Sequence, residues 1–420
     1  MVATMLQKKD DPEASGIRPT EMGFAEFVAL MALMMGLTAL TVDIMLPALA
    51  DIGQALRIAE PNDRQLVITY YLVGFAFGQI IFGPISDRLG RKKPLAAGLI
   101  IFAIADVVAF ASTSATTLFI ARAVQGFGAA APRVIALAII RDRYAGRQMA
   151  QVMSFVIMVF VIMPIVAPML GQSVMQFVVW RGVFAVLLAV ALVTLAWSAL
   201  RLRETVREGS HPAVPLLAAA RTILFSRQTV GYAIAFGFYF GIMMSYIASS
   251  EQIFVDVYQL GHAFPAVFAS VASMMIVASF LNSRLVIHFG MRRVSHASML
   301  AFVCVCAAMG LAGFPAHPPL LVFCAFMMAT FFCFGLIAPN FNALAMEPMG
   351  SIAGTASSFI GFYTTGAGAI FGWMVGQSFD GSVRPLMIGF SLLAASSLAV
   401  VLITERFKLF QSHQPPQQPQ

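Results

Sequence analysis

Four ionisable side chains stand inside long apolar runs: Asp43, Asp106, Arg122 and Arg133. Charged groups in such runs are costly unless they face a bundle interior, water or each other, so they mark places where protons or ions are handled. Asp43 lies in TVDIMLPAL (41–49), near the end of the first run and just before Pro47. A carboxylate there can hold a proton or a cationic ligand, each excluding the other. The alternative is a wetted, structural carboxylate at an interface. Asp106 and Arg122 lie on consecutive runs joined by a short turn, Ser112–Thr116. Their similar distance from that turn lets them meet as an ion pair, or leaves Asp106 as a second proton site. Arg122 is either a cavity group or a snorkelling cation. Gln125 follows it by three residues, on the same helical face. Arg133 comes eleven residues after Arg122, close to three whole turns. Both guanidinium groups then point one way, about 16 Å apart along the axis, so that face lines a cavity.

A second cluster is GPISDRLGRKK (83–93). Asp87 and Arg91 are spaced i,i+4 and can pair; Asp87 can also face a helix N-terminus in the other half, such as that of the eleventh run. Gly83, Asp87, Arg88, Gly90 and Arg91 therefore read as a gate that forms in one conformer and breaks in another. The plainer reading is a tight turn rich in cations. Pro164, Pro168 and Gly171 interrupt a fifth run and suggest a bend or close helix approach. Tyr71, Phe75, Phe127, Tyr239, Asn340 and Asn342 are candidates for lining a solute cavity, with the 26 Met and 37 Phe supplying adaptable apolar surface.

These residues must be positioned by membrane spans. The 420 residues are 60% hydrophobic and 11% charged, too few charges to coat soluble domains. Spans of about 20 apolar residues read at 24–46, 65–84, 95–113, 117–140, 150–171, 181–200, 229–249, 264–285, 295–314, 319–341, 353–376 and 384–404, twelve in all. The expected organisation is a cytoplasmic tail (1–23), a six-helix bundle (24–200), a cytoplasmic linker (201–226), a second six-helix bundle (227–404) and a disordered tail (405–420). No cleavable signal peptide is visible. With the N-terminus inside, twenty of the 26 Lys and Arg fall in inward segments and only Arg57, Arg64, Arg181 and Arg384 in outward ones. The positive-inside rule then places both termini in the cytoplasm, and it accounts for the net charge of +7 without nucleic acid. Glu251 and Asp256 fall to an outer loop and Glu347 to an inner one. Ser283–Arg293 (SRLVIHFGMRR) repeats Gly83–Lys93, with Gly290 for Gly90, Arg292 for Lys92 and Ile287 for Asp87. Two parallel six-span halves are the signature of a transporter that rocks around a midplane site.

The motifs resemble those of the major facilitator superfamily. GPISDRLGRKK is similar to its signature loop, ARAVQGFGAAAPRVIALAIIRD (121–142) to its fourth-span motif, and PIVAPMLGQ (164–172) to the fifth-span motif of its antiporters, with Gln172 where many continue with Gly. TVDIMLPAL, RDRYAGRQMAQVMSF (141–155) and AGTASSFIGFYTTGAGAIFG (353–372) resemble the bicyclomycin-resistance (Bcr/CflA) branch of drug:proton antiporters. The resemblance spans about 24–404 and implies an all-α fold of two pseudo-symmetric bundles in a bacterial inner membrane. It implies a role for Asp43 in proton or substrate binding and for Arg122 in proton coupling; it supplies none for Asp106. The expected function is export of hydrophobic, often cationic drugs or metabolites in exchange for protons, by a monomer. An uptake permease, or a narrow metabolite exporter, of the same fold is the rival; a receptor or scaffold is a distant third. There is no GxxxxGK[ST] loop, no paired metal ligand set, and no nucleophile–His–acid constellation, so neither an enzyme nor a cofactor is expected. Cys304, Cys306, Cys324 and Cys333 lie in apolar runs and read as small buried hydrophobes.

Overall fold

A computed structural model describes residues 22–205 and 216–411. Among the described residues every regular element is helical. The first half holds α1 (Phe24–Asp43), α2 (Leu49–Ala55), α3 (Leu66–Leu89), α4 (Lys92–Phe110), α5 (Ala115–Arg143), α6 (Gly146–Met175) and α7 (Arg181–Arg201). The linker carries α8 (Leu216–Phe225). The second half holds α9 (Arg227–Glu251), α10 (Phe264–Phe289), α11 (Met291–Leu311), α12 (Leu320–Met346), α13 (Ala353–Gln377) and α14 (Arg384–Thr404). Setting aside the short α2 and α8, these elements match the expected spans one for one. Eleven helices among the described residues are long and apolar enough to cross a membrane. The exception, α13, has 25 residues but carries Gly, Ser and Thr along much of its length. Those small residues suit its position, packed between α9 of its own half and α3 of the other.

Local chemistry fixes the ends. Ser114 caps α5 by accepting from the Thr117 N–H at 3.2 Å, and Ser226 caps α9 through Thr229 at 3.3 Å. Gly90 and Gly290 end α3 and α10 with φ of 83° and 80°, a region that excludes most side chains. The faint sequence repeat is thus a repeat of backbone geometry.

Three expectations change. The first α-helix ends at Asp43 rather than 46; Pro47 lies in a 3-10 turn, Leu46–Ala48, and α2 follows directly from Leu49. The linker is not merely a connection, since Ile223 of α8 packs with Met349 and Ala356. The tail from 405 is not disordered through its described part. Glu405 is buried, and the Phe410 N–H donates to His296 Nδ1 at 3.2 Å. Residues 1–21, 206–215 and 412–420 lie outside the described residues, and with them most of the expected N-terminal tail, the middle of the linker and the end of the C-terminal tail. Cys306 and Cys333 are buried, whereas Cys304 is exposed on the surface of α11.

Candidate functional site

The buried centre of the first half is Arg122, fully enclosed. Its Nε donates to the Val67 carbonyl at 3.0 Å, Nη2 to the Thr41 carbonyl at 3.2 Å, and Nη1 to Gln125 Oε1 at 2.6 Å. Its guanidinium lies 4.7 Å from the centre of the Tyr71 ring. Thr41 belongs to the last turn of α1, whose carbonyls lack intrahelical donors and carry partial negative charge. Arg122 is therefore held by a helix-end carbonyl of α1, a carbonyl in the first turn of α3, the Gln125 amide and an aromatic face, and it does not snorkel. Arg133 lies over Phe75, one turn along α3 from Tyr71, at 5.7 Å. The two arginines share one face of α5, as the eleven-residue spacing required, and that face meets the aromatic stripe of α3.

The expected Asp106–Arg122 ion pair is replaced by a relay. Gln125 Nε2 donates to Asp106 Oδ1 at 2.5 Å while Gln125 Oε1 accepts from Arg122. An amide can serve both ends because it carries donor and acceptor on one planar group. Asp106 is 1% exposed, and its Oδ2 has no hydrogen-bond partner. Asp43 is 2% exposed with Oδ1 equally orphaned. It closes α1 two residues after the carbonyl that binds Arg122. No described ion pair or hydrogen bond joins Asp43 to Arg122.

Close backbone approach makes this geometry possible. A Cβ on Gly74 would stand 1.8 Å from the Ala123 carbonyl oxygen, and one on Gly126 would stand 1.9 Å from that of Tyr71. Gly126, just after Gln125, and Gly74 of α3 thus let α5 press onto α3 and carry Arg122 and Gln125 inward. A Cβ on Gly171 would stand 2.3 Å from the Ile44 carbonyl oxygen, so Gly171 of the Pro/Gly motif seats α6 against the residue after Asp43. Pro164 and Pro168 both lie inside α6.

At the other end of the half, Arg91 is the hub. It pairs with Asp87 at 2.5 Å and with Asp142 at 2.9 Å, and it donates to Ser86 at 2.9 Å. Burial opposes its charge, but the hydrogen bonds it donates to Asp142 and then to Asp87 hold its pKa above the ordinary guanidinium value. Glu204 accepts from the backbone N–H of Arg91 at 2.7 Å and of Lys92 at 3.1 Å. Asp87 Oδ2 lies 3.9 Å from where a Gly354 Cβ would stand, beside the first turn of α13. Gly83 faces Ser358 across the same seam. Farther along, Gln79 donates to Thr365 at 3.0 Å and to the Gly361 carbonyl at 3.3 Å. Arg88 is exposed and has no described side-chain partner among these contacts.

The candidate cavity residues do not converge on one wall. Tyr71 and Phe75 are buried on α3, and Phe127 packs on Phe82. Tyr239 is buried in the second half against Phe302 and Phe341. Asn340 is buried and donates to Asn282 at 2.7 Å, whereas Asn342 is exposed. Two residues on, a helix has turned by about 200°, so these two asparagines cannot share a lining.

The model of the Major Facilitator Superfamily matches residues 31–373. The chain belongs to that superfamily. It is 30% identical over 389 residues to a Bacillus subtilis (strain 168) protein described as the uncharacterized MFS-type transporter YdgK, covering 89% of this chain and 95% of that one. It is 29% identical over 395 residues to the bicyclomycin resistance protein homolog of Haemophilus influenzae, covering 90% and 96%. Multidrug resistance protein D of Escherichia coli (strain K12) is 27% identical over 384 residues, covering 87% and 92%. Among solved structures, the human organic anion transporter MFSD10 (TETRAN) shares the fold, with a TM-score of 0.63 at 16% identity over 89% of this chain and 98% of that one. The protein is therefore a multi-pass membrane transporter of the major facilitator fold, not an enzyme.

Within that fold the two halves carry matched charged hubs that sequence reading did not find. Asp142 lies in the last turn of the fourth span helix and meets Arg91, and Glu204 follows the sixth and accepts from Arg91 and Lys92. In the second half Glu347 follows the tenth span and Glu405 the twelfth, and Arg292 meets them at 3.5 Å and 3.2 Å. Tyr232 adds a hydrogen bond to Glu405 at 2.6 Å and meets His296 at 2.9 Å. The available signal was an acid recurring about 200 residues later, just past the last span of each half, which a comparison of the loops alone does not reveal.

Proposed function

We propose that this transporter exports hydrophobic, often cationic solutes in exchange for protons, by alternating access of its two halves in a bacterial inner membrane with both termini cytoplasmic. The observation that carries the reading is the pair of buried span carboxylates, Asp43 and Asp106, each with one oxygen lacking a hydrogen-bond partner. A buried acid left incomplete in this way is stabilised by a proton or by a bound cation, and the two compete for it. Asp43 is the exchange group. Arg122 senses the same region through the last turn of α1, and Gln125 links it to Asp106. The kinship with proteins named for bicyclomycin and multidrug resistance favours export over uptake. Asp87 and Arg91 form the inner gate, since Asp87 sits across the seam from α13. Tyr71, Phe75 and Phe127 on the α3 and α5 faces offer the apolar wall, and the protein works as a monomer.

The test uses inverted membrane vesicles holding an imposed pH gradient. Lipophilic cations and neutral drugs are added singly, and the gradient is followed by a fluorescent amine. Exchange predicts that some compounds dissipate the gradient in vesicles with the native protein and not with Asp43→Asn. Compounds that move without any proton response would replace this reading with uniport.

A further inference from the structure

The end of the molecule that carries α2, outer by the Lys and Arg count, is bridged between the halves by polar contacts. Asn62 donates to the carbonyls of Gln377 at 3.1 Å and Phe379 at 2.9 Å, and it accepts from Gln252 at 2.8 Å. Gln65 donates to Gln252 and to the Gly376 carbonyl. Gln172 of α6 meets His262 at 2.9 Å. Within this ring one cation meets two acids. Arg64 Nε stands 3.1 Å from Glu251 Oε2, and Arg64 Nη2 stands 2.5 Å from Asp256 Oδ2.

Glu251 is no outer-loop residue. It is the last residue of α9, and the π turn Gln252–Val257 winds directly on from it. It is 2% exposed, and neither of its carboxylate oxygens has a hydrogen-bond partner, since Arg64 Nε stands close to Oε2 without donating to it. Asp256 is half exposed on that turn. Asp51, exposed on α2, adds a third carboxylate acting on Glu251. One guanidinium thus stands between a buried acid and a half-exposed one, and a third acid adds its field at Glu251.

Opening this end must part Arg64 from Glu251, because they belong to different halves. In the open mouth Glu251 meets water. In the closed mouth it is buried with neither oxygen hydrogen-bonded, beside a guanidinium already shared with Asp256. Burying it ionised costs more than burying it as the neutral acid. Proton uptake and closure are then linked, each favouring the other.

We propose that Glu251 is a proton-binding group of the second half, and that its protonation accompanies closure of the outer mouth over Arg64. This rests on the alternating-access reading above and adds a proton site remote from Asp43 and Arg122. It also gives closure a direction: acid outside shuts the mouth after solute has left.

The experiment reads conformation without solute or gradient, so a failure of the drug-export assay leaves it intact. Full-length protein with its four cysteines replaced is spin-labelled at Gln54→Cys and Ser378→Cys, both exposed near the mouth, and reconstituted in lipid nanodiscs. Distances are measured by electron–electron resonance from about pH 8 to about pH 5.5, a range that includes the ordinary histidine titration. The short-distance population is expected to rise severalfold in acid. Glu251→Gln should hold it high throughout, because a neutral amide replaces the acid. Arg64→Gln should lower it most at alkaline pH. His262→Asn and Asp256→Asn should keep the acid response. A pH-independent native distance, or an undiminished response in Glu251→Gln, overturns the proposal; so does a response abolished by His262→Asn alone.

Discussion

Arg122 has a full set of partners without touching a carboxylate. Two carbonyls, an amide oxygen and the Tyr71 ring surround it. Hydrogen bonds to charged groups contribute about 1.5–3 kcal/mol each, and orphaning a buried partner costs on the same scale. Gln125→Leu strands both Arg122 and Asp106, so its detergent melting temperature should drop markedly while Gln125→Glu falls between the two. A double-mutant cycle of Asp106→Asn with Arg122→Gln should show coupling of about 0.5–3 kcal/mol, the range for residues in one network. Repeating the cycle in the Gln125→Leu background should bring the coupling near zero. Coupling that survives there would mean a direct contact in another conformer. Arg122→Lys should impair proton exchange, because one ammonium cannot reach three oxygens set around a planar fork.

Helix contact decides where those side chains go. Gly126 and Gly74 bring α5 and α3 within backbone contact, and either gains a Cβ only by pushing a carbonyl aside. Gly126→Val should leave little folded protein in the membrane, measured as the monodisperse fraction after extraction. Gly350→Ala, where a Cβ meets nothing within 4 Å, should extract like the native protein. An equal yield for both would show that α5 can withdraw from α3 freely. The helices themselves were legible as apolar runs of span length, and their ends fell within a few residues of expectation. Asp43 as a helix end was less legible, because apolar residues continue through Leu46 and hydropathy cannot see the turn made at Pro47. The burial of Glu251 was missed because it follows two serines at the edge of an apolar run, a pattern that reads as a loop.

Across the whole molecule the seam between α3 and α13 carries the approach of Asp87 to Gly354 and of Gly83 to Ser358 and, at its far end, the Gln65–Gly376 contact. Asp87 is the exposed partner of Arg91, with 43% of its side chain accessible, whereas Asp142 is at 23%. Asp87→Ala should therefore leave the melting temperature nearly unchanged while slowing turnover several-fold, read as initial flux at saturating solute. Asp142→Ala should lower both, since it removes two hydrogen bonds and the Thr205 contact. Unchanged flux in Asp87→Ala would remove the seam contact from the cycle.

Composition, span spacing and the Lys and Arg distribution were enough to determine a membrane bundle of two six-span halves, because the bilayer imposes a length and a polarity that a linear chain displays directly. The spacing of Arg122 and Arg133 likewise determined a shared face, since helical period is a local property. Tertiary structure alone decided that Gln125 stands between Arg122 and Asp106, that Asp142 and Glu204 complete the Arg91 hub, and that Glu251 meets Arg64. Each of these joins residues on different helices. Such meetings depend on how closely and at what height two helices pack, and that is set by small residues and carbonyls acting across space rather than along the chain.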